Sequence, residues 1–374
     1  MKHGLLVLLA LTVLVGCGPT KSMSQTSDGA TLSESQRLNQ WLDGEFETYL
    51  DFSPMSKTRL GDKSDYDKLD DPSDAAADAR LAWRRVSVAS LKAEFDRDAL
   101  EPEAKRSYDL WVFMLDRAEA SLPYRRHEYV FGRNGPHTGL PNALINYHKV
   151  DSASDMQAYI ARLKASAGYF DAYLNRAKLA AAAGIRAPYF DYDVAMSQIQ
   201  RVTRGAPFTG EGTSALWADI TAKVDALVLA ESITAVEAEA LKAEAKTAIL
   251  QSMEPAYDRI NAWLEADRDN LPDTATGAWA LPEGAAFYAY RLKQMTTLPL
   301  TAEAIHQTGL DEVTRIQTEM NAIRESVGFK GSLQDFFTHL RTSDEFYFDN
   351  TDEGRERYLQ LARDFISGIE AKLP

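Results

Sequence analysis

Six histidines, His3, His127, His137, His148, His306 and His339, and one cysteine, Cys17, are the side chains with the broadest chemical repertoire in this sequence. A hydrolytic metal centre of the commonest helical type needs two imidazoles one turn apart, with a glutamate beside the first. None of the six makes that pair: His127-Glu128 opens like the motif, but Phe131 stands where the second ligand is required. His127, His137 and His148 lie about ten residues apart in one Gly/Pro-rich region, and three imidazoles brought together there could bind zinc. Nothing in the spacing demands convergence, so each is expected to be a polar loop residue hydrogen-bonded locally. No Gly-x-Ser-x-Gly pentapeptide offers a serine nucleophile. The glycine-rich stretch from Gly205 to Gly212 lacks the Gly-Lys-Ser/Thr ending of a phosphate loop and reads as a connection between helices. Acidic runs from Asp62 to Asp78 and from Asp344 to Glu356 lack the alternating oxygen ligands of a calcium loop and read as solvated faces. Phe287, Tyr288 and Tyr290 could line a pocket, although their helical spacing fits a core equally well.

Cys17 has a more definite chemistry. Met1-Lys2-His3 precedes an apolar run from Gly4 to Val15, too short to span a bilayer as a helix, and Leu14-Val15-Gly16-Cys17 closes it. This resembles the lipobox of bacterial lipoproteins, which implies diacylglycerol on the Cys17 thiol, cleavage after Gly16 and acylation of the new amino terminus. Two or three acyl chains hold a protein to a membrane where one binds only marginally, at about 0.8 kcal/mol per buried CH₂. Gly18 rather than Asp follows the cysteine, so the expected location is the bacterial cell envelope, lipid-anchored at the outer membrane and facing the periplasm. Residues 1–16 are then the signal peptide and residues 17–31, rich in Gly, Ser and Thr, a flexible tether.

The elements that must position any chemistry are helical. Ser33 with Gln36 and Thr234 with Glu237 form capping-box patterns, and Ser154 with Gln157 repeats the signal ahead of a long helix ended by Gly184 and Pro188. Glu101-Pro102-Glu103 opens a helix with Tyr108, Trp111 and Leu115 on one face, and Pro255 is expected to kink another. Val313, Ile316, Met320, Ile323 and Val327 form a heptad-like seam that Gly328 ends, and a last amphipathic segment runs from Asp352 to Leu373. Only Tyr129-Val130-Phe131 and Leu144 to Tyr147 could make strands. The expected fold is all-α, or mostly α: a large multi-helix, bundle-like array over residues 32–374 with at most a short β-hairpin near residues 129–147.

Composition narrows the partners. Acidic residues outnumber basic ones 55 to 41, giving a formal net charge of −14 with no basic tract, so nucleic acid is not an expected partner. With Cys17 consumed by lipid no disulfide can form, and stability must come from packing.

Several segments together resemble one family, the bacterial helical proteins called domain of unknown function 885, which are similar to zinc metallopeptidases. They are Gly139 to Ser152 followed by Tyr159 to Leu163, then Leu281-Pro282-Glu283-Gly284 with Phe287 to Leu292, Thr296 to His306, and Gly309 to Ile316. Order and spacing agree from about Leu38 to the end. Within these segments His148, Tyr288 and Arg291 are the side chains expected to line a pocket or touch a substrate. The resemblance implies zinc held by a His-Glu-containing helix, glutamate as general base and peptides as substrates. In the family that helix lies downstream of everything matched here, so no catalytic or metal residue carries over, and no cofactor is expected in this chain. The resulting expectation is a truncated N-terminal portion of a zinc-peptidase-like lipoprotein, inactive alone, whose partners are membrane lipid through Cys17, peptides or a missing C-terminal half. The alternative is a periplasmic lipoprotein that binds a peptide or protein without catalysis.

Overall fold

A computed structural model describes residues 32–373 of the chain. Cys17, the signal peptide, the tether and Pro374 lie outside the described residues. In chain order the helices are α1 (Glu34–Leu50), α2 (Pro54–Leu60), α3 (Asp74–Glu94), α4 (Pro102–Ser121), α5 (Pro136–Tyr147), α6 (Ala153–Ala182) and α7 (Tyr189–Val202). After the short strands β1 (Arg204–Ala206) and β2 (Thr209–Thr213) follow α8 (Ala215–Leu229), α9 (Ala235–Ala248), α10 (Glu254–Arg268), α11 (Gly284–Thr296), α12 (Ala302–Ser326), α13 (Leu333–Thr342) and α14 (Asp352–Glu370). The chain is therefore mostly α, as the hydrophobic periodicity requires.

Several helix boundaries follow directly from cap chemistry. At Ser33 and Thr234 both bonds of the capping box form, which satisfies two of the N–H groups that a helix start leaves without partners. Pro102 occupies the first turn of α4, where its missing N–H is no loss. The start of α6 differs from expectation by two residues: Ser152, not Ser154, receives a first-turn N–H, from Asp155 at 3.2 Å. Its end is closed by Gly184 at φ +79°, with Ile185 N–H donating to the Ala180 carbonyl at 2.9 Å. The kink expected at Pro255 takes the form of a π turn, Ile249–Met253, just ahead of it.

The hairpin expected near residues 129–147 does not form, and Leu144 to Tyr147 belong to α5. Pro136 supplies a helical φ at the first position, and Leu140, Ala143 and Leu144 at three-and-four spacing are all buried. Pro141 sits inside this helix and cannot donate to the His137 carbonyl; the Tyr257 hydroxyl donates to that carbonyl instead, at 2.7 Å. The strand pair lies where a plain loop was expected, with β1 and β2 paired in parallel with shifts of register.

The chain divides into two compact units. The first takes in the described residues up to Leu122 with Arg133–Arg176 and Ala195–Leu264. One part of its core is Leu38, Leu91, Phe95, Leu100, Ala104 and Tyr108, with Trp41 and Trp111 packed against it. Another is built from Tyr159, Ile160, Leu163 and Phe170 of α6, Ile220 and Val224 of α8, and Ile249, Tyr257 and Ile260 beyond them, all at most 1% exposed. Each such side chain contributes roughly 1.5–3 kcal/mol by leaving water. The second unit comprises Pro123–Gly132, Ala177–Val194 and Glu265–Pro374. Among its described helices α12 buries no residue and α14 only Gly354. No helix among the described residues is long and apolar enough to cross a membrane.

Candidate functional site

His148 caps α5 and lies in a sealed polar network of the first unit. Its Nε2–H donates to the Asp155 carbonyl at 3.0 Å, which leaves Nδ1 as the acceptor for Arg162 Nη1 at 3.0 Å. Arg162, fully buried, also donates from Nε to the Lys68 carbonyl and from Nη2 to Thr58 Oγ1, at 2.8 and 2.6 Å. The Tyr66 ring stacks on the imidazole at 4.0 Å and faces the guanidinium. Burial lowers the His148 pKa to about 4 and that of Arg162 to about 10, so at neutral pH the histidine is neutral and the arginine charged. Every ring nitrogen of His148 is used within the protein, so the network pins α2, the residues around Lys68, α5 and α6 together. His137, expected in a loop, is fully buried in α5, where Nε2 meets Gln198 at 2.8 Å.

The second unit holds an open cavity of about 260 Å³, lined among others by Tyr129, Arg186, Tyr189, Asn270 and Leu281. The left-handed turn at Gly184 leads the chain out of α6, and Arg186 follows two residues later, ahead of Pro188 and the start of α7. Arg186 donates from Nε and Nη2 to Asp267 at 2.9 and 3.0 Å. The Tyr192 hydroxyl and Asn270 Nδ2 reach the same carboxylate at 2.8 and 3.2 Å. Burial alone would raise the pKa of Asp267, but the hydrogen bonds from Arg186 and Tyr192 outweigh it and hold the carboxyl below its ordinary range. Arg186 lines the cavity, and among the described residues its Nη1 has no acceptor, so it can donate to a carbonyl or carboxylate oxygen there. Burial, reinforced by Asp191, raises the Tyr129 pKa, so its phenol stays protonated and can donate. Arg268 stacks over Tyr189 at 5.0 Å and fixes that wall.

Leu281-Pro282-Glu283-Gly284 forms a constrained turn at the edge of this unit's α11. Glu283 takes φ +51°, a left-handed conformation disfavoured for any residue but glycine. At Gly284 a Cβ would collide with the Ala278 carbonyl, so only glycine fits. His127 Nε2–H donates to the Pro282 carbonyl at 2.8 Å, and its ring packs on Phe287 at 4.6 Å and on Tyr124. Tyr124 in turn stacks on Tyr290 at 4.7 Å, so the aromatic run of α11 is partly a packing face. Tyr288 and Arg291 are both exposed on α11. The three expected contact residues thus fall in different units, His148 in the first and Tyr288 and Arg291 in the second.

Among the described residues no three His, Cys, Asp or Glu side chains are grouped to hold a metal ion. The acidic run after Asp62 is not wholly solvated: Asp65 pairs with the buried Lys57 at 2.6 Å, and Asp70 accepts from the Met55 N–H at 2.9 Å. Sequence reading missed Arg186, Asp267 and Tyr192. Gly184 and Pro188 signalled the turn that carries Arg186, but its carboxylate partner is 81 positions away and no local spacing connects them.

Residues 54–374 match the family described as bacterial protein of unknown function, DUF885. No curated protein matches the chain. Among solved structures the chain is similar to a candidate lipoprotein from Colwellia psychrerythraea, at 20% identity and a TM-score of 0.75, over 91% of this chain and 60% of that one. A candidate lipoprotein of unknown function from Shewanella oneidensis is similar at 16% identity and a TM-score of 0.60, over 91% of this chain and 58% of that one. At these identities the likeness is one of fold, and this chain spans about 60% of the length of those two proteins. With the match covering all but its first 53 residues, the chain belongs to the DUF885 family of bacterial proteins.

Proposed function

We propose that this chain is the peptide-recognising, non-catalytic part of a zinc-peptidase-like lipoprotein, held at the bacterial envelope through lipid on Cys17. The observation that carries the reading is the cavity of the second unit, where a buried Asp267 fixes Arg186 from one side and leaves guanidinium N–H groups on the other. A small space with a largely polar lining and a few fixed donors suits a peptide carbonyl or terminal carboxylate. Tyr129 and Asn270 supply further polar contacts. That both structural neighbours are described as candidate lipoproteins supports the envelope assignment. Hydrolysis, in this reading, belongs to the part of the family fold that carries the zinc helix.

The test is peptide titration of the purified, lipidated chain in detergent, with calorimetry and a peptidase assay run in parallel. Binding weakened about tenfold or more by Asn270→Ala together with Tyr129→Phe is the expected outcome. Chelator-sensitive hydrolysis by this chain alone would overturn the non-catalytic reading, and absence of any peptide binding would overturn recognition. The anchor is checked separately: Cys17→Ala should move the protein from the membrane fraction to the soluble one.

A further inference from the structure

The first unit holds a buried cation with no anion. Arg84 of α3 is 7% exposed, and its Nη1 is sealed from solvent with no hydrogen-bond partner. Its guanidinium is instead enclosed by three rings, Tyr49 of α1, Trp83 of α3 and Trp111 of α4, with Cζ 5.7, 5.3 and 5.5 Å from their centroids. Trp111 is itself fixed by donating from Nε1 to Ser87 Oγ at 2.9 Å. One helical turn away Arg80, half-buried, carries a sealed Nε that likewise lacks an acceptor. Burial and the neighbouring Arg80 both lower the Arg84 pKa. In a chain with 55 acidic against 41 basic residues, neither guanidinium has a carboxylate within ion-pair distance among the described residues. Glu45 of α1, one turn from Tyr49, is not such a partner, and its own buried Oε2 has no donor.

A buried, unpaired guanidinium is costly unless something satisfies it, and aromatic faces satisfy its charge but not its N–H groups. The three rings lie about the guanidinium, and its Nη1 keeps N–H groups that no acceptor among the described residues meets. An edge of parallel N–H groups matches two oxygens of one oxyanion, and Arg80 adds a second donor from the same helix. We infer that Arg84 and Arg80 form an anion-binding site on α3 that takes an oxyanion of the carboxylate or phosphate class. The site belongs to the first unit and is independent of the peptide cavity.

The experiment follows the Trp83 and Trp111 indole N–H resonances of the ¹⁵N-labelled protein as inorganic phosphate, acetate or chloride is added at constant ionic strength. Saturable shifts with phosphate or acetate but not chloride are expected, and whichever responds names the source of the oxyanion. If phosphate responds, vesicles of phosphatidylglycerol against phosphatidylcholine then separate a lipid headgroup from a free anion. Arg84→Leu should abolish the response. Arg80→Gln, which leaves the aromatic cage in place, should weaken it about tenfold or more with the indole spectrum otherwise unchanged. No saturable response to either oxyanion, or an undiminished response in Arg80→Gln and Arg84→Leu, overturns the inference.

Discussion

The first unit and the helices α12 and α14 of the second obey the same sequence rules and differ in what their apolar faces meet. In α6, Tyr159, Ile160, Leu163 and Phe170 repeat at helical spacing and are at most 1% exposed. In α12, Val313, Ile316 and Ile323, continued by Val327 at its C-cap, repeat just as regularly and are 39–63% exposed. The contrast extends to charge: Arg162 is buried and fully hydrogen-bonded, whereas Arg315 pairs with Glu312 and Glu319 in solvent. Periodicity therefore reports which face of a helix is apolar, and says nothing of whether a partner covers it.

The sharpest way to break this comparison is to remove the two arginines in turn. Arg162→Leu leaves the His148 Nδ1, the Lys68 carbonyl and Thr58 without their donor inside the core, and should destabilise the protein by about 3–5 kcal/mol in urea unfolding. Arg315→Leu should change stability by less than about 0.5 kcal/mol. Equal effects would mean that the first unit's network contributes no more than a surface pair.

His148 gives the same contrast a pH dependence. Its pKa in the folded state is about 4, below the ordinary 6.5, so between those values the unfolded chain binds a proton that the native chain refuses. Stability is fully present above about pH 6.5 and is lost as pH falls toward 4, by up to about 3 kcal/mol. Burial lowers the pKa of His137 as well, which adds to the loss in the same direction. His148→Gln, which keeps a donor and an acceptor but does not titrate, should flatten the profile over that range. Unchanged steepness would place the pH sensitivity elsewhere.

The second unit is not uniformly open, and Asp267 tests that. Asp267→Asn removes the charge that holds Arg186 and replaces one of the two oxygens that accept from Arg186, Tyr192 and Asn270 by a donor, and should cost about 1–3 kcal/mol along with peptide binding at the cavity. A neutral result in both would reduce the pair to a surface contact.

Helix content was legible because caps and apolar spacing are local: Ser33 with Gln36, Thr234 with Glu237, and Pro102 each mark a start that forms. The α5 segment was misread because β-rich residues around Gly and Pro resemble strands, and the hydroxyl that makes Pro141 tolerable comes from Tyr257, far along the chain. The cavity was illegible for the same reason. Arg186 and Asp267 acquire meaning only as a pair, and the aromatics Tyr288 and Tyr290 look alike in sequence although one is exposed and the other stacks on Tyr124.

The smallest expected effect on stability is the most telling about the open helices. If the seam of α12 has no partner within the chain, Val313→Ser and Ile323→Ser should each alter the unfolding free energy by less than about 0.5 kcal/mol, because no apolar area returns to water on unfolding that was not already there. A core substitution of the same kind, Leu163→Ser, should cost several-fold more. The seam mutations should still reduce binding of a hydrophobic dye and self-association of the purified chain, since those respond to exposed patches rather than to folding. Adding a polypeptide corresponding to the remaining length of the Colwellia relative should have the same effect on the wild type if that part of the fold is what the seam meets. A large loss of stability from Ile323→Ser would instead show that the helix is covered in solution, and the two regions would no longer differ in kind.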